Sequence, residues 1–161
     1  MSTARVRKAA VLQELGLEVR RMSAQGVLLS AAVAERVGLS SSDLECLDFI
    51  VMATPEPLTA GQLAAATGLT SGAITGLIDR LERAGFVCRE PDPADRRKVR
   101  VVPVASQVAR LGEYYAPLAQ RTEALWAQYS EEELRTILDF TRRSTVVAVE
   151  EAARIRTLPR A

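Results

Sequence analysis

Long runs of apolar residues at intervals of three and four, at both ends of the chain, constrain its fold most. From Lys8 to Arg36 the positions Leu12, Leu15, Val19, Met22, Gly26, Leu29 and Val33 keep this spacing, the seam of a helix that packs against another helix. It returns in Val108, Leu111, Tyr115, Leu118, Thr122, Leu125 and Tyr129, over about six helical turns. It returns again in Leu134, Ile137, Leu138, Thr141, Thr145, Ala148, Ala152 and Ile155. Pro117 falls inside the second run and predicts a kink, since its ring blocks the bond to the Glu113 carbonyl. A chain of 161 residues has room for roughly one ordinary domain, and so small a middle cannot cover a long seam at each terminus. The expectation is a homodimer in which the termini of two chains interleave; the alternative is a helical pair within one chain.

Between the seams the punctuation is dense. Gly38 ends the first helix, and Ser42 with Glu45 predicts a capping box for a helix carrying Leu44, Leu47, Ile50 and Val51, which stops at Pro55-Glu56-Pro57. Thr59 with Gln62 repeats the device for a short helix through Leu63, Ala64 and Ala65 to Gly68, and Thr70 caps another only two residues later. That helix, residues 71 to about 84, places Ile74, Leu77, Ile78 and Leu81 on one face before Gly85. Two β-like runs follow, Phe86 to Arg89 and Val99 to Val102, around the turn DPADRRK. Ser130 with Glu133 opens the final helix.

Short helix, tight turn, second helix is a helix-turn-helix signal, and a charged two-stranded wing directly after it makes a winged helix. The fold class expected is therefore mainly α with a small β-hairpin wing: a winged helix-turn-helix with long N- and C-terminal dimerisation helices. The segments are 1–38, an N-terminal dimerisation helix; 39–104, the winged DNA-binding domain; and 105–161, C-terminal helices that join 1–38 in one dimerisation region. In such a domain the second helix enters the major groove with its N-terminal half foremost, and the wing reaches a neighbouring minor groove. Arg96, Arg97 and Lys98 stand at the wing tip, where a narrow groove concentrates negative potential, and Pro91 and Pro93 stiffen the turn. Asp95 reads as an intraprotein partner that holds an arginine fork, or as a simple turn residue. Arg80 is a candidate phosphate contact, Asp79 and Arg83 an i,i+4 helix pair, and Arg89 a solvated strand residue.

The run LTSGAITGLIDRLERAGFVCREPDPADRRKVRV resembles the MarR family of bacterial transcriptional regulators, and the helical order agrees over nearly the whole chain. The resemblance implies a homodimeric regulator that binds pseudo-palindromic double-stranded DNA operators and is often released by a small, frequently aromatic effector; a repressor is expected, with activation the alternative that operator position decides. By position it assigns Ser71, Gly72, Ala73, Thr75 and Gly76 to the DNA-facing start of the recognition helix, and Asp95 and Arg97 to the wing; Thr70, the cap of that helix, is a further candidate DNA contact. The chain departs from the family pattern at Gly76, where many members carry a larger polar or basic residue, and at Val104 and Gln107, where a threonine and a glycine are common. Gly72 and Gly76 lie one turn apart on the exposed face, and each costs ~1 kcal/mol of helix stability relative to alanine. They mark either a close approach of the backbone to DNA, with Ser71 and Thr75 as base contacts, or tolerated surface glycines.

Composition excludes several other functions. The net charge is only +1, so a nucleic-acid surface must be local; 19 of the 21 basic residues are arginine, which favours forked contacts. The absence of histidine removes Ser-His and Cys-His pairs and the commonest metal ligand, so no enzyme, cofactor or metal is expected. The rivals are a carboxylate-based enzyme and a winged helix that binds only protein. Gln13 and Glu14 interrupt the apolar run behind Arg5, Arg7 and Lys8, against a signal peptide, and no segment approaches the ~18 uncharged residues of a membrane span. A cytoplasmic protein with no membrane partner is expected. Cys46 is a candidate redox switch or a buried apolar residue, and Cys88 forms no CxxC with it. Tyr114, Tyr115 and Trp126 are candidates to line an effector cleft or ordinary interface residues.

Overall fold

The structure, a computed structural model, describes residues 3–159, with side chains from Arg7 on. Arg5 and the extreme ends of the segments 1–38 and 105–161 lie outside the residues so described. The elements run α1 (Thr3–Val37), α2 (Ser41–Met52), α3 (Ala60–Thr67), α4 (Ser71–Arg83), β1 (Val87–Pro91), β2 (Val99–Pro103), α5 (Ala105–Trp126) and α6 (Glu131–Arg156). They fall into two compact units, the first ending at Leu111 and the second beginning at Gly112, so the division lies inside α5. Helix α5 runs unbroken through Pro117. Among the described residues no helix is long and apolar enough to cross a membrane.

The first unit is organised around a core in which Leu44, Leu47 and Ile50 of α2, Leu63 of α3, and Ile74, Leu77, Ile78 and Leu81 of α4 are buried. Phe86, Val87 and Val101 close it from the hairpin, and Val33 and Ala34 from the last turns of α1. Strands β1 and β2 pair antiparallel, Arg89 opposite Val101 and Pro91 opposite Val99. Prolines 91 and 103 sit at strand ends, where a missing N–H costs no ladder bond. Both strands run one or two residues beyond the expected runs, because backbone pairing continues past the apolar stretch. A bridge between Thr59 and Arg100, with Val101 N donating to Leu58 O at 2.9 Å, ties the hairpin to the start of α3.

Helix ends follow the local signals with one correction. Thr59 with Gln62 and Ser130 with Glu133 form reciprocal capping boxes, Thr70 accepts from Ala73 N, and Gly38, Gly68 and Gly85 take the positive φ that ends α1, α3 and α4. The box of α2 is built by Ser40 and Asp43, not by Ser42 and Glu45. Ser40 has the extended backbone a cap requires, and Asp43 turns back to accept from Ser40 N at 3.2 Å, whereas Ser42 already lies within the helix. Asp43 is buried and Glu45 exposed, so the acid that caps this helix also faces the core.

The second unit holds the remainder of α5 and α6, and no residue of α6 is buried. Leu118, Leu125, Ile137, Leu138, Val146, Val147 and Ile155 are exposed, as are Leu12, Leu15 and Met22 of α1 in the first unit. Of the apolar seams legible in the sequence, Val33 and Leu111 are buried and much of the rest is exposed.

Candidate nucleic-acid interface

Helices α3 and α4 are joined by Gly68-Leu69-Thr70, with Gly68 left-handed at φ 69° and its N–H bonded to Ala64 O. The turn is tight because glycine pays no Cβ penalty there. With Ile74, Leu77, Ile78 and Leu81 pinned in the core, the opposite side of α4 faces outward, and Ser71, Gly72, Ala73 and Thr75 are all exposed. The Thr75 hydroxyl donates to Ser71 O at 2.9 Å, which leaves its methyl and an acceptor lone pair to face outward. A Cβ added at Gly72 would meet nothing within 4 Å, while one at Gly76 would lie 3.8 Å from Arg80 Nη1. No contact within the chain requires Gly72, and Gly76 is overlaid by an arginine from the next turn.

Arg80 has a partner that spacing alone does not announce. Its Nη2 and Nε donate to Asp43 Oδ1 at 2.7 and 3.0 Å, Nε also reaches Oδ2 at 3.3 Å, and Nη1 donates to Gly76 O at 3.2 Å. The expected phosphate contact is therefore first a bolt between α2 and α4. Burial pushes the Asp43 carboxyl upward, but hydrogen bonds from Arg80 and Ser40 outweigh it and hold the pKa below its ordinary value. Asp79 does not pair with Arg83, whose Nε instead donates to Asp79 O at 3.2 Å. The Asp79 and Glu82 carboxylates both bind Arg89. Arg89, exposed on β1 as the sequence suggests, is also a clasp from β1 to α4. It lies seven and ten residues along the chain from these partners, beyond any single-helix spacing rule.

The wing turn is built on two aspartates. Asp92, buried, accepts from Ala94 N at 2.7 Å and Asp95 N at 3.0 Å through Oδ1, and from Arg100 Nε at 2.6 Å through Oδ2. The Arg100 bond leads in drawing its pKa down, followed by the two backbone N–H groups. Asp95 Oδ1 accepts from both Arg97 N and Arg97 Nε at 3.1 Å, and Oδ2 from Nη2 at 3.4 Å. Asp95 is the intraprotein partner of an arginine fork, and the arginine is Arg97, whose side chain is 91% exposed. Arg96 and Lys98 are exposed beside it. The turn therefore spends its acidic groups internally and shows three cations to solvent.

Cys46 is buried, and burial first, then the Asp43 charge, pushes its thiol up to about 11. The thiolate that oxidation requires is scarce at neutral pH, which argues against a switch there. Cys88 is partly exposed, and its thiol is also raised, by burial and by Glu90.

A short helix, a glycine turn, an outward-facing second helix and a cationic hairpin define a winged helix-turn-helix protein. The model of the MarR family matches residues 37–98. An uncharacterised helix-turn-helix transcriptional regulator of Bacillus subtilis, YcgE, is 39% identical over 137 residues, covering 85% of this chain and 88% of that one. The repressor YetL of the same organism is 32% identical over 96 residues, 60% of this chain and 58% of its own. Among solved structures, a MepR mutant from a multidrug resistant clinical isolate of Staphylococcus aureus shares the fold at TM-score 0.70 and 19% identity, covering 83% of this chain and 96% of that one. A complex of S. aureus MepR with DNA matches at TM-score 0.58 and 18% identity over 80% and 93% of the two chains. The chain belongs to the MarR family of transcriptional regulators.

Proposed function

We propose that this regulator binds double-stranded DNA as a homodimer and represses transcription from pseudo-palindromic operators. The observation that carries the reading is the outer face of α4: with its apolar side committed to the core, Ser71, Gly72, Ala73 and Thr75 form a short-chained exposed surface of the kind that lets a helix sink deep into a major groove. The wing supplies Arg96, Arg97 and Lys98, with Arg97 held by Asp95, as the partner for an adjacent minor groove. The uncovered apolar residues of α1, α5 and α6 support pairing of two chains through 1–38 and 105–161. A DNA target accords with a cytoplasmic location, and membership of a family of transcriptional regulators supports a role without catalysis.

A small aromatic effector is a further part of the proposal. Its support is Tyr115, whose hydroxyl is buried without a hydrogen-bond partner among the described residues, a group that a ligand could satisfy. Tyr114 and Trp126 are about half exposed, at 48% and 51%. The decisive experiment is selection of bound duplexes from a random pool, with affinity then measured against salt. The reading expects symmetric half-sites about one helical turn apart, ~34 Å, and a steep fall of affinity with salt. No enrichment, or a flat salt response, would overturn it.

A further inference from the structure

Position 76 carries no side chain of its own, yet it is not bare. The Arg80 side chain runs back along α4, so that its Nη1 donates to Gly76 O at 3.2 Å and lies 3.8 Å from where a Gly76 Cβ would be. A methyl would fit there, in ordinary van der Waals contact with the guanidinium. Asp43 fixes the other edge of the fork through Nε and Nη2. A guanidinium has five N–H groups. Asp43 takes one from Nε and one from Nη2, and Gly76 O takes one from Nη1. One N–H on each of Nη1 and Nη2 is left, on a side chain that is 48% exposed while Asp43 is 5% exposed. The arrangement is a cation clamped from beneath by a buried acid, with donors left over on the recognition face.

We propose that Arg80 makes a direct DNA contact across the space that Gly76 leaves open, and that Asp43 is the positioning residue that pre-sets it. This rests on the DNA reading above and deepens it. The remaining donors suit a pair of acceptors on DNA, either phosphate oxygens or the O6 and N7 of guanine. An arginine already immobilised loses less freedom on binding than one recruited from solvent. Glycine at 76 and aspartate at 43 are then two halves of one device, the first making room for the guanidinium and the second holding it.

The test uses the full-length protein on its selected operator, comparing wild type, Asp43→Asn and the double variant Asp43→Asn/Arg80→Ala. The double variant leaves no unpaired buried charge and so avoids the folding failure that Arg80→Ala alone invites. Thermal melts identify a temperature at which all three are folded. Asp43→Asn is expected to weaken operator binding by roughly threefold to tenfold, the cost of ordering one long side chain, and the double variant to weaken it further. A contact to guanine appears as lost preference at one base pair of each half-site. A contact to phosphate appears as uniform weakening, with the salt slope reduced by about one. Operator affinity and salt slope unchanged within twofold in the double variant would show that Arg80 only fastens α2 to α4. Tighter binding by Asp43→Asn would show that Asp43 competes with DNA instead of positioning its contact, and unchanged binding would show that it does neither; either result overturns the positioning role. Failure of wild type itself to bind any duplex would instead remove the DNA reading as a whole.

Discussion

Replacing Arg97 with alanine separates the stability of the wing from its proposed function. The side chain is 91% exposed and, among the described residues, pairs with Asp95 at the same turn, and a solvent-exposed ion pair contributes about 0–1 kcal/mol to folding. The turn itself is held elsewhere, by Asp92 with Ala94 N, Asp95 N and Arg100, and by Lys98 N donating to Asp95 O at 2.8 Å. Loss of Arg97 should therefore leave the melting temperature within a few degrees of wild type. A well-formed arginine contact in a DNA groove is worth about 1–3 kcal/mol, or roughly a 5- to 150-fold rise in Kd. Fluorescence anisotropy with a labelled operator, read beside a thermal melt, measures both quantities. Asp95→Ala should give a smaller loss, since it frees the fork without removing it. Operator affinity unchanged within twofold for Arg97→Ala would refute the wing contact, and a parallel collapse of stability would show that Arg97 belongs to the turn's architecture.

Ile78 is fully buried, so Ile78→Ala should cost about 2–5 kcal/mol in urea unfolding; a cost below ~1 kcal/mol would contradict the core described for the first unit. The Asp43 and Asp92 carboxyls are held below the ordinary 3.8, so their stabilisation is present above that value and lost as pH falls through the folded-state pKa. Denaturation curves at pH 7 and pH 3 should show the loss, and Asp92→Asn should be less stable at pH 7 and less sensitive to acid; an unchanged pH dependence would count against the ion pair with Arg100. Buried Cys46, with its thiol near 11, should resist a thiol reagent until the chain unfolds, and fast labelling of the native protein at that residue would contradict this.

Much of the fold is readable without coordinates because its signals are local. The capping residues Thr59, Thr70 and Ser130 lie within three positions of the amides they serve. Gly68 and Gly85 mark left-handed backbone that other residues avoid, and the face of α4 carrying Ile74, Leu77, Ile78 and Leu81 follows from the helical period. Where two local signals compete, the pattern misleads: Ser40, Ser41 and Ser42 are each followed three residues later by Asp43, Leu44 and Glu45, and the box forms on the acid whose other side finds Arg80. Asp95 with Arg97 is legible for the same reason of short reach.

Sequence alone determines where helices start and stop, which faces are apolar, that a cationic turn follows the second helix of a helix-turn-helix pair, and that the terminal seams exceed what the middle can cover. Tertiary structure decides which charges are spent inside the molecule and which remain for a partner. Arg80 and Arg89 look like free cations in the chain, yet they close on Asp43 and on Asp79 and Glu82. Arg100 closes on Asp92, while Arg97 stays at the surface. Ion pairing depends on distances of a few ångströms between groups up to 37 residues apart, and only the packing of α2, α4 and the hairpin around one core sets those distances.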